Sequence, residues 1–428
     1  MNNFFKFKYK SESIIIILLP FLMIFSRFML EVCLLIISIS FINKIIKSNN
    51  YKIFNNYFNF FFIGFYFLLI LSFAFSEEKL NILSILLYFR FGLYVMAIYY
   101  FLNKDNKIIN YFLNSILIII LILFFDSLIQ YVFGQNLIGL KNNEIHRITS
   151  FFGDEQIMGS YVVKLFPFLL LLTNMTDENS KKTKYLTYLA ILVTPVIIFL
   201  SGERVAMVLF FLMIAYYLVF FIRSKKFRFI YFYVLITIVS LGSLLYSSNV
   251  YYDRYINQTY QSLTNKTYGQ NLSFLPEQYD KNTFYFLSAQ HQNFVYTAIN
   301  VFNKNKLLGT GPKSYRYICW NKDYGLNDLS CNTHPHNYYL QLLIETGLLG
   351  VLFLLICYFF IIYRSFVNFI KLLRNQYFSI SEVIILGFYF TQLWPLMQHG
   401  SFFNNWNSIV LFLPMAFLLF FKEKKLIN

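Results

Sequence analysis

The chain has 428 residues, of which 58% are hydrophobic and only 13% are charged. A soluble domain carries about 25% charged residues, so this composition excludes an ordinary soluble protein. The chain contains repeated apolar runs whose length is close to the roughly 20 residues that a helix needs to cross a bilayer. The basic residues behind the net charge of +16 lie between these runs and form no single patch, which argues against nucleic-acid binding. The sequence therefore predicts a polytopic, all-helical membrane protein.

Twelve apolar segments are predicted to cross the membrane as helices. The first two are separated near Arg27 and Glu31, and a charge at the centre of a membrane helix costs about 2.5–3.5 kcal/mol, so we predict two short helices there. The first segment follows lysines, as in a signal peptide, but no small-residue cleavage pattern follows it, and we expect it to remain uncleaved. The predicted spans are residues 14–25, 28–42, 57–75, 80–101, 108–132, 157–173, 184–201, 204–222, 229–246, 338–363, 380–396 and 406–421.

Charges between the spans predict the orientation in the membrane. Cytoplasmic loops of membrane proteins are enriched in Lys and Arg. With both termini inside, every predicted cytoplasmic segment is basic, whereas the short external loops carry few cations and most of the acids. The basic clusters are Lys6/Lys8/Lys10, Lys44/Lys47/Lys52, Lys104/Lys107, Lys181/Lys182/Lys184, Arg223/Lys225/Lys226/Arg228, Arg364/Lys371/Arg374 and Lys422/Lys424/Lys425.

One external segment, residues 247–337, is polar and too long for a simple connection. Function is often placed on long loops of a rigid scaffold. The chain thus divides into spans 1–9 (residues 1–246), this loop, and spans 10–12 (residues 338–428). Within the loop, FVYTAINVFNKNKLLG predicts a short amphipathic helix. This helix either packs on the membrane surface or contributes to an active site.

Polar chemistry concentrates in CNTHPHNYYLQLLIETGLLG, residues 331–350. Thr333 or His334 is predicted as the N-cap of the tenth span, with Pro335 starting the helix and His336 and Asn337 in its first turn. The positive end of the helix dipole lowers a histidine's pKa, so His336 is expected to be neutral at pH 7 and able to accept a proton. Alternatively, both histidines only cap the helix.

A metal site and a disulfide are alternative interpretations of the residues around the histidines. The pair offers two ligands, whereas zinc sites need three or four. Cys319 and Cys331 lie nearby, and in an external compartment a disulfide is the better interpretation. Such a bridge closes a loop of about a dozen residues and contributes on the order of 3 kcal/mol in the chain-entropy model. We therefore expect the disulfide and no metal.

Several other ionisable residues lie within or close to spans, where such residues are functional candidates. Arg204 in SGERVAMVLFF stands at the external end of the eighth span. It either anchors the helix at the interface or offers a planar donor set to a phosphate. The others are Arg90, Asp126, Lys164 and Glu345, of which Arg90 and Asp126 could instead form one buried ion pair.

The stretch THPHNYYLQLLIETGLLG, preceded by LLGTGP and two cysteines, resembles the O-antigen ligase/polymerase superfamily of bacterial envelopes. SGERVAM is similar to the family's serine–arginine element after a span, and RITSFFGDEQIMGSYVVKLFPFLL is similar to its sixth-span region. Together with the twelve spans and the long loop, the resemblance covers essentially the whole chain. The histidine motif is its specific part.

Members of this superfamily transfer glycans from undecaprenyl pyrophosphate to an acceptor hydroxyl at the periplasmic face of the inner membrane. The resemblance implies no cofactor, and it assigns catalysis to His336, with His334 as a less certain neighbour. It places the membrane-boundary arginine on Arg204. At the position where the resemblance implies a second arginine, this chain has His291. Either His291 binds the phosphate in its place, or Arg316 supplies the positive charge.

The expected reaction is a metal-independent transfer with inversion at the anomeric carbon. Asn337 and Lys164 complete the predicted substrate-binding residues. Lipid A–core is the favoured acceptor, which makes the protein an O-antigen ligase; a growing glycan makes it a polymerase, and a protein acceptor an oligosaccharyltransferase. A lipid-linked sugar flippase or secondary transporter is the alternative from another class, and a non-catalytic assembly protein is a third. No convincing internal repeat or Walker motif supports a transporter.

Overall fold

The computed structural model describes residues 11–76, 82–141, 144, 146–176, 180–224, 227, 229–264, 289–321, 324 and 331–427. Within these ranges the chain is helical and contains no β-strand, only two isolated bridges between loop residues. The bridges pair Gln135 with Lys141 and Glu144 with Arg147, in the connection that precedes the sixth long helix. The predicted all-helical class is therefore confirmed for the described residues.

Among the described residues, nine α-helices precede the long polar segment, four shorter ones lie in it and three follow it. The first nine are α1 (Ser11–Phe25), α2 (Arg27–Ser48), α3 (Tyr57–Phe75), α4 (Ile82–Lys104, with a 3-10 turn at Leu87–Phe89), α5 (Lys107–Phe133), α6 (Met158–Met175), α7 (Lys181–Leu200), α8 (Arg204–Phe221) and α9 (Phe229–Ser247). The others are α10 (Asn249–Tyr252), α11 (Gln258–Thr264), α12 (Ala289–Lys304), α13 (Tyr315–Ile318), α14 (Tyr338–Leu373), α15 (Ile380–Gln392) and α16 (Asn405–Ile427).

Each of the twelve predicted spans has a helix, and ten helices in the described residues are long and apolar enough to cross a membrane. The chain is thus a multi-pass membrane protein. The other two, α1 with 15 residues and α15 with 13, are shorter apolar helices. The helix predicted to reach residue 396 ends at Gln392, because Pro395 disfavours helical geometry in the residue before it. A count of twelve spans remains a prediction.

The N-terminal apolar stretch is broken at Ser26, as predicted from its internal charges. Ser26 caps α2 with its hydroxyl, and both charged residues of the break are paired. Arg27 forms an ion pair with Glu155, and Glu31 accepts a hydrogen bond of 3.2 Å from Nε of Arg90. Pairing at the helix ends removes the cost of leaving these charges without partners in apolar surroundings.

The proposed pair between Arg90 and Asp126 is wrong. Arg90 bonds to Glu31 instead, and Asp126 turns toward the connection after α5. Its carboxylate accepts hydrogen bonds from the backbone N–H of Leu137 at 2.9 Å and from the hydroxyl of Ser150. Asp126 therefore orders the loop that leads into α6. The sequence did not reveal which acid pairs with Arg90, because Glu31 and Asp126 lie on different helices whose packing is not evident from the sequence.

The LLGTGP segment of the long polar region is joined to a break in α14. Gly347 has φ +65°, so the helix is interrupted there and its backbone groups need other partners. Thr310 N–H donates to the carbonyl of Ile344 at 3.0 Å, and Gly311 N–H donates to that of Glu345 at 2.9 Å. A Cβ on Gly309 would lie 2.6 Å from the Glu345 backbone. The close approach explains the glycines and fixes the long segment to the helix.

Glu345 strengthens the same junction from inside. Its fully buried carboxylate accepts hydrogen bonds from the N–H groups of Lys313 at 2.8 Å and Tyr315 at 3.3 Å, and from the amide of Gln341 at 3.2 Å. Buried carboxylates need such partners, since an unpaired one is costly. Glu345, a functional candidate by its position in a span, thus positions the segment that carries Arg316.

Candidate active site

The histidine motif ends just before α14 and not inside it. Asn337 is the N-cap, and its side-chain oxygen accepts hydrogen bonds from two N–H groups of the first turn at 2.9 and 3.1 Å. His336 has φ +53°, which a right-handed helix does not allow. The predicted cap at Thr333 or His334, with His336 and Asn337 in the first turn, is therefore wrong. An asparagine side chain satisfies the free N–H groups better than the earlier residues can.

Three histidines come together in front of α14. The ring centroids of His334 and His336 are 4.2 Å apart, and those of His336 and His291 are 5.9 Å apart. Nε2 of His336 lies 3.0 Å from Nδ2 of Asn332, and Nδ1 of His334 lies 2.9 Å from Oγ1 of Thr333. His291 belongs to α12, so the amphipathic helix of the long segment contributes to this histidine cluster (His291, His334 and His336).

The histidine cluster is held neutral by its surroundings. Burial lowers the pKa of His336. Burial, followed by the charge of His336, lowers the pKa of His334 to about 3. Burial, followed by His336 and Arg204, lowers that of His291 to about 4. At pH 7 the cluster therefore carries no charge, and burial has the leading role that the sequence analysis gave to the helix dipole.

A fourth histidine, His399, supports the motif from the connection between α15 and α16. Its backbone N–H donates to the carbonyl of His336 at 2.7 Å, and its ring stacks on Tyr338 with 4.2 Å between centroids. Asn337 extends this contact by donating to the carbonyls of Pro395 and Met397 at 2.8 and 3.0 Å. The side chain of Asn337, a predicted substrate ligand, is thus engaged within the chain. Nothing in the sequence around His399 signalled its position.

The histidine cluster borders a polar cavity of about 680 Å³ through His334. Lys164 and Arg316, both predicted as substrate ligands, line this cavity, and Lys313 joins them. Burial, followed by the charge of Arg316, lowers the pKa of Lys313, as expected for cations facing one space. The two carboxylates on the wall form ion pairs with arginines, so the cavity keeps a positive excess. These charged wall residues are Arg27, Glu31, Glu155, Lys164, Lys313 and Arg316.

Lys164 is tied to the start of α14. Its Nζ donates to Oδ1 of Asn407 at 2.7 Å, and Nδ2 of Asn407 donates to the hydroxyl of Tyr338 at 2.5 Å. The ammonium also lies 5.1 Å from the ring of Trp406. A lysine held this way presents its charge to the cavity from a fixed position.

Arg204 lies in a separate arginine cluster that also contains Arg147 and Arg254. Its guanidinium donates to Oγ1 of Thr259 at 3.1 Å on α11. Arg254 donates to the carbonyl of Gly202 at 3.0 Å, and burial with the charges of Arg147 and Arg204 lowers its pKa to about 10. The side chains of Arg147 and Arg254 both lie against Gly202, two residues before Arg204, so the three arginines occupy one region and their charges repel.

Arg147 is brought into this cluster by the turn before α8. Gly202 has φ +63° and lies so close to the carbonyl of His146 that a side chain there would clash. The buried Nε of Arg147 has no hydrogen-bond partner among the described residues. An unused buried donor beside two further guanidinium groups favours an anionic ligand. Arg147 and Arg254 were not among the site residues predicted from the sequence, although Arg147 begins the RITSFF segment.

The predicted site residues therefore lie in two neighbouring regions, the polar cavity and the arginine cluster. His334, Lys164 and Arg316 border the polar cavity, whereas Arg204 belongs to the arginine cluster. His291 connects the two, because its pKa responds to both His336 and Arg204. The histidine cluster and Arg204 thus lie close enough together for their charges to interact.

A disulfide between Cys319 and Cys331, with Cα atoms 5.1 Å apart, links α13 to the segment before the histidine motif. Arg316 on α13 is thereby held near His334, which follows Cys331 by three residues. In the part of the chain that the structure describes, no three His, Cys, Asp or Glu side chains form a group suited to a metal ion.

Residues 189–355 match a family model described as O-antigen ligase. This segment is an O-antigen ligase domain. It runs from within α7 into α14, and the match confirms the resemblance to the O-antigen ligase/polymerase superfamily. The match covers less than half of the chain and supports a membrane glycosyltransferase of the O-antigen ligase type, a family that implies a lipid-linked glycan as donor. No curated protein sequence gives a significant match.

The O-antigen ligase domain contains Arg204, Arg254 and the whole histidine cluster. Arg147, Lys164 and His399 lie outside the matched residues but contact or approach the same site. The helices on both sides of the domain therefore contribute to the candidate active site, and the family match alone does not outline it.

Proposed function

We propose that the protein transfers a glycan from undecaprenyl pyrophosphate to an acceptor hydroxyl, most simply as an O-antigen ligase with lipid A–core as acceptor. The observation that carries this proposal is that a neutral histidine cluster lies near three arginines, close enough for the charge of Arg204 to lower the pKa of His291. The first can accept a proton, and the second can bind a pyrophosphate. No described feature assigns the chain to a different kind of transfer.

In the proposed reaction, His336 removes the proton of the acceptor hydroxyl. The acceptor oxygen then bonds to the anomeric carbon while the bond from that carbon to the pyrophosphate oxygen breaks, and the leaving group takes the electron pair. Direct displacement inverts the configuration at the anomeric carbon. Nδ2 of Asn332 donates to Nε2 of His336, which leaves this nitrogen without a proton, and the acceptor hydroxyl replaces Asn332 as its donor for this step.

The departing pyrophosphate gains negative charge, which the arginine cluster is placed to stabilise. Arg204 and Arg254 are held by hydrogen bonds to Thr259 and Gly202, so they need little rearrangement on binding. In this proposal Arg254 supplies the second arginine, whose position the family resemblance assigned to His291. His291 does not carry that charge at pH 7, because burial lowers its pKa to about 4.

The polar cavity next to His334 is the proposed place for the acceptor. Its cations Lys164, Lys313 and Arg316 suit an acceptor with acidic groups. The positive-inside pattern supports an arrangement in which this end of the bundle faces the periplasm and both termini lie in the cytoplasm. The proposed location is the inner membrane.

A transporter is the alternative from another class, and one feature of α14 is relevant to it. Discontinuous helices of transporters line the substrate path near the middle of the membrane. The break at Gly347 instead has its backbone groups bonded to residues 306–311 of the same chain. It is therefore filled by protein, which favours the transferase.

The deciding experiment is deletion of the gene with analysis of envelope glycans, together with transfer by the purified protein. Glycan lost from lipid A–core, with polymer left on its carrier, supports the ligase. Single repeat units on the core identify a polymerase, and lost protein glycosylation with intact lipopolysaccharide identifies an oligosaccharyltransferase. Absence of transfer by pure, monodisperse protein with donor and each acceptor contradicts the proposal.

A further inference from the structure

A second polar cavity lies at the end of the bundle away from the histidine cluster. It has a volume of about 590 Å³ and is bordered by the connection between α2 and α3, the end of α4 and the end of α16. Three lysines line it, Lys52, Lys104 and Lys422, against one carboxylate, that of Glu423. We call this space the lysine cavity. Its lining is cationic, and none of it belongs to the site described above.

The carboxylate in the lysine cavity already has neutral partners. Glu423 accepts hydrogen bonds from the hydroxyl of Tyr99 at 2.6 Å and from Nδ2 of Asn103 at 2.5 Å. Nζ of Lys422 stands 4.2 Å from the centroid of the Tyr57 ring. Cation–π contacts of this kind fix a lysine without neutralising it. The lysine cavity therefore offers positive charge and amide donors to an anion.

An apolar groove of about 170 Å³ continues from the lysine cavity between α3, α14, α15 and α16. Tyr57 lines both spaces, so the groove begins where the lysine cavity ends. Tyr57 and Phe360 are 66% and 44% exposed, which opens the groove toward the surrounding membrane. Its other walls are apolar and include Phe65 on α3, Cys357 on α14 and Met415 on α16.

The dimensions of the groove match one leaflet. Its wall on α3 runs from Tyr57 to Phe65, which is about 12 Å at 1.5 Å per residue. The hydrocarbon core of a bilayer is about 30 Å thick, so the groove spans most of one half. A polar, cationic space at the membrane boundary followed by an apolar groove of this depth fits an amphiphile with an anionic head.

We propose that the lysine cavity and the apolar groove together bind one anionic glycerophospholipid. Its phosphate lies among Lys52, Lys104 and Lys422, and one acyl chain lies in the groove. The three lysines favour lipids with an anionic head group, and the groove favours a lipid over a phosphate ester that has no acyl chain. The site is independent of the proposed transferase activity.

Native mass spectrometry of the full, delipidated chain tests this site. Phosphatidylglycerol should stay bound at a concentration at least tenfold lower than phosphatidylcholine with the same acyl chains. The double variant Lys52→Gln/Lys422→Gln should remove that difference. The control Lys47→Gln/Lys107→Gln, which removes two lysines at the same end but outside the cavity, should retain it. Equal binding of both lipids, or equal loss in the control, overturns the proposal.

The groove is tested separately. Cys357→Trp fills it while leaving the lysines in place, and should weaken phosphatidylglycerol binding at least fivefold. If glycerol 1-phosphate binds as tightly as the lipid and Cys357→Trp changes nothing, the lysine cavity binds a free phosphate ester and the lipid proposal is wrong.

In unmodified protein, phosphatidylglycerol should slow alkylation of Cys357 more than that of Cys33, which lies outside the groove. Equal slowing contradicts the proposal even where variants fold poorly.

Discussion

His336 combines three structural features at one position. Its backbone adopts a left-handed conformation, its carbonyl accepts a hydrogen bond from His399, and its imidazole faces His291 and Asn332. A non-glycine residue in this conformation carries strain and persists only where the surroundings demand it. Here the surroundings place the imidazole outside the helix, against His291 and Asn332.

Replacement of His336 by Gln should lower kcat for glycan transfer by about 10²–10⁴-fold, the usual contribution of a general base. Asn332→Ala keeps the imidazole and removes only its partner, so its loss should be smaller. Single-turnover transfer with purified protein measures both. Near-normal activity in His336→Gln, with wild-type expression and monodispersity, would assign the motif a structural role.

The pH dependence of kcat/KM should follow the deprotonated form of His336. Burial lowers its pKa below the ordinary value of 6.5, so activity should rise with pH with a midpoint below 6.5. Acidification through the lowered pKa protonates the base and removes activity. Initial rates in buffers of constant ionic strength between pH 4.5 and 8 check this. A midpoint above 6.5 would contradict a buried neutral base.

Arg254→Lys should reduce transfer at least tenfold, as should Arg204→Lys. Lysine keeps the charge but loses the planar donor set that binds phosphate oxygens in pairs. The matched control is Arg223→Lys, beyond the opposite end of α8, where the guanidinium contacts Leu372 and Asn375. Steady-state kinetics against donor concentration measure the effect. Activity of Arg254→Lys equal to that of the control would remove Arg254 from the pyrophosphate site.

At the scale of elements, the start of α14 organises the site. Asn337 caps this helix and also holds the connection between α15 and α16, from which His399 reaches His336. Sequence reasoning located this helix start to within a few residues, because a polar segment meets an apolar run there. The exact cap depended on which side chain reaches the free N–H groups, and several residues in NTHPHN can do so.

Asn337→Ala should lower stability by about 1–2 kcal/mol, the upper range for loss of a cap, since the two bonds to Pro395 and Met397 also disappear. Asn337→Asp keeps the capping oxygen and loses only those two donors, so it should be the milder variant. Thermal unfolding in detergent, followed by intrinsic fluorescence, compares them. The opposite order would show that the connection matters more than the cap.

The element pattern shows where sequence reasoning succeeded and where it stopped. Apolar runs located a helix for all twelve predicted spans, because burial in a membrane demands long uninterrupted apolar stretches. The break at Gly347 was not predicted, since ETGLLG lies within such a run. Arg147 and Arg254 were missed because they are distant in sequence from Arg204 and meet it only through the folded turn at Gly202.

At the scale of the whole molecule, charge is divided between the two ends of the bundle. The arginine cluster and the polar cavity lie at one end, and the lysine cavity lies at the other. The basic residues at the lysine end follow the positive-inside pattern. Those at the histidine end depart from it, and their partly buried positions agree with the proposed role in substrate binding.

Cysteines introduced at the two ends should label from opposite sides of the membrane. Asn305→Cys, after α12, should react with a membrane-impermeant maleimide added to spheroplasts. Asn49→Cys, after α2, should react only after the membrane is opened, because both termini and this turn are expected inside. Labelling is scored by mass shift. The reverse pattern would invert the predicted topology and move the candidate site to the cytoplasm.

The contact between LLGTGP and the break in α14 has a consequence for how the chain tolerates change. Gly309 and Gly347 belong to segments that are far apart in sequence, yet each leaves room for the backbone of the other segment. A side chain at either position opens the same joint, so a second substitution at the other has little left to disrupt. The effects of substitutions at the two glycines on stability are thus expected to be coupled and less than additive.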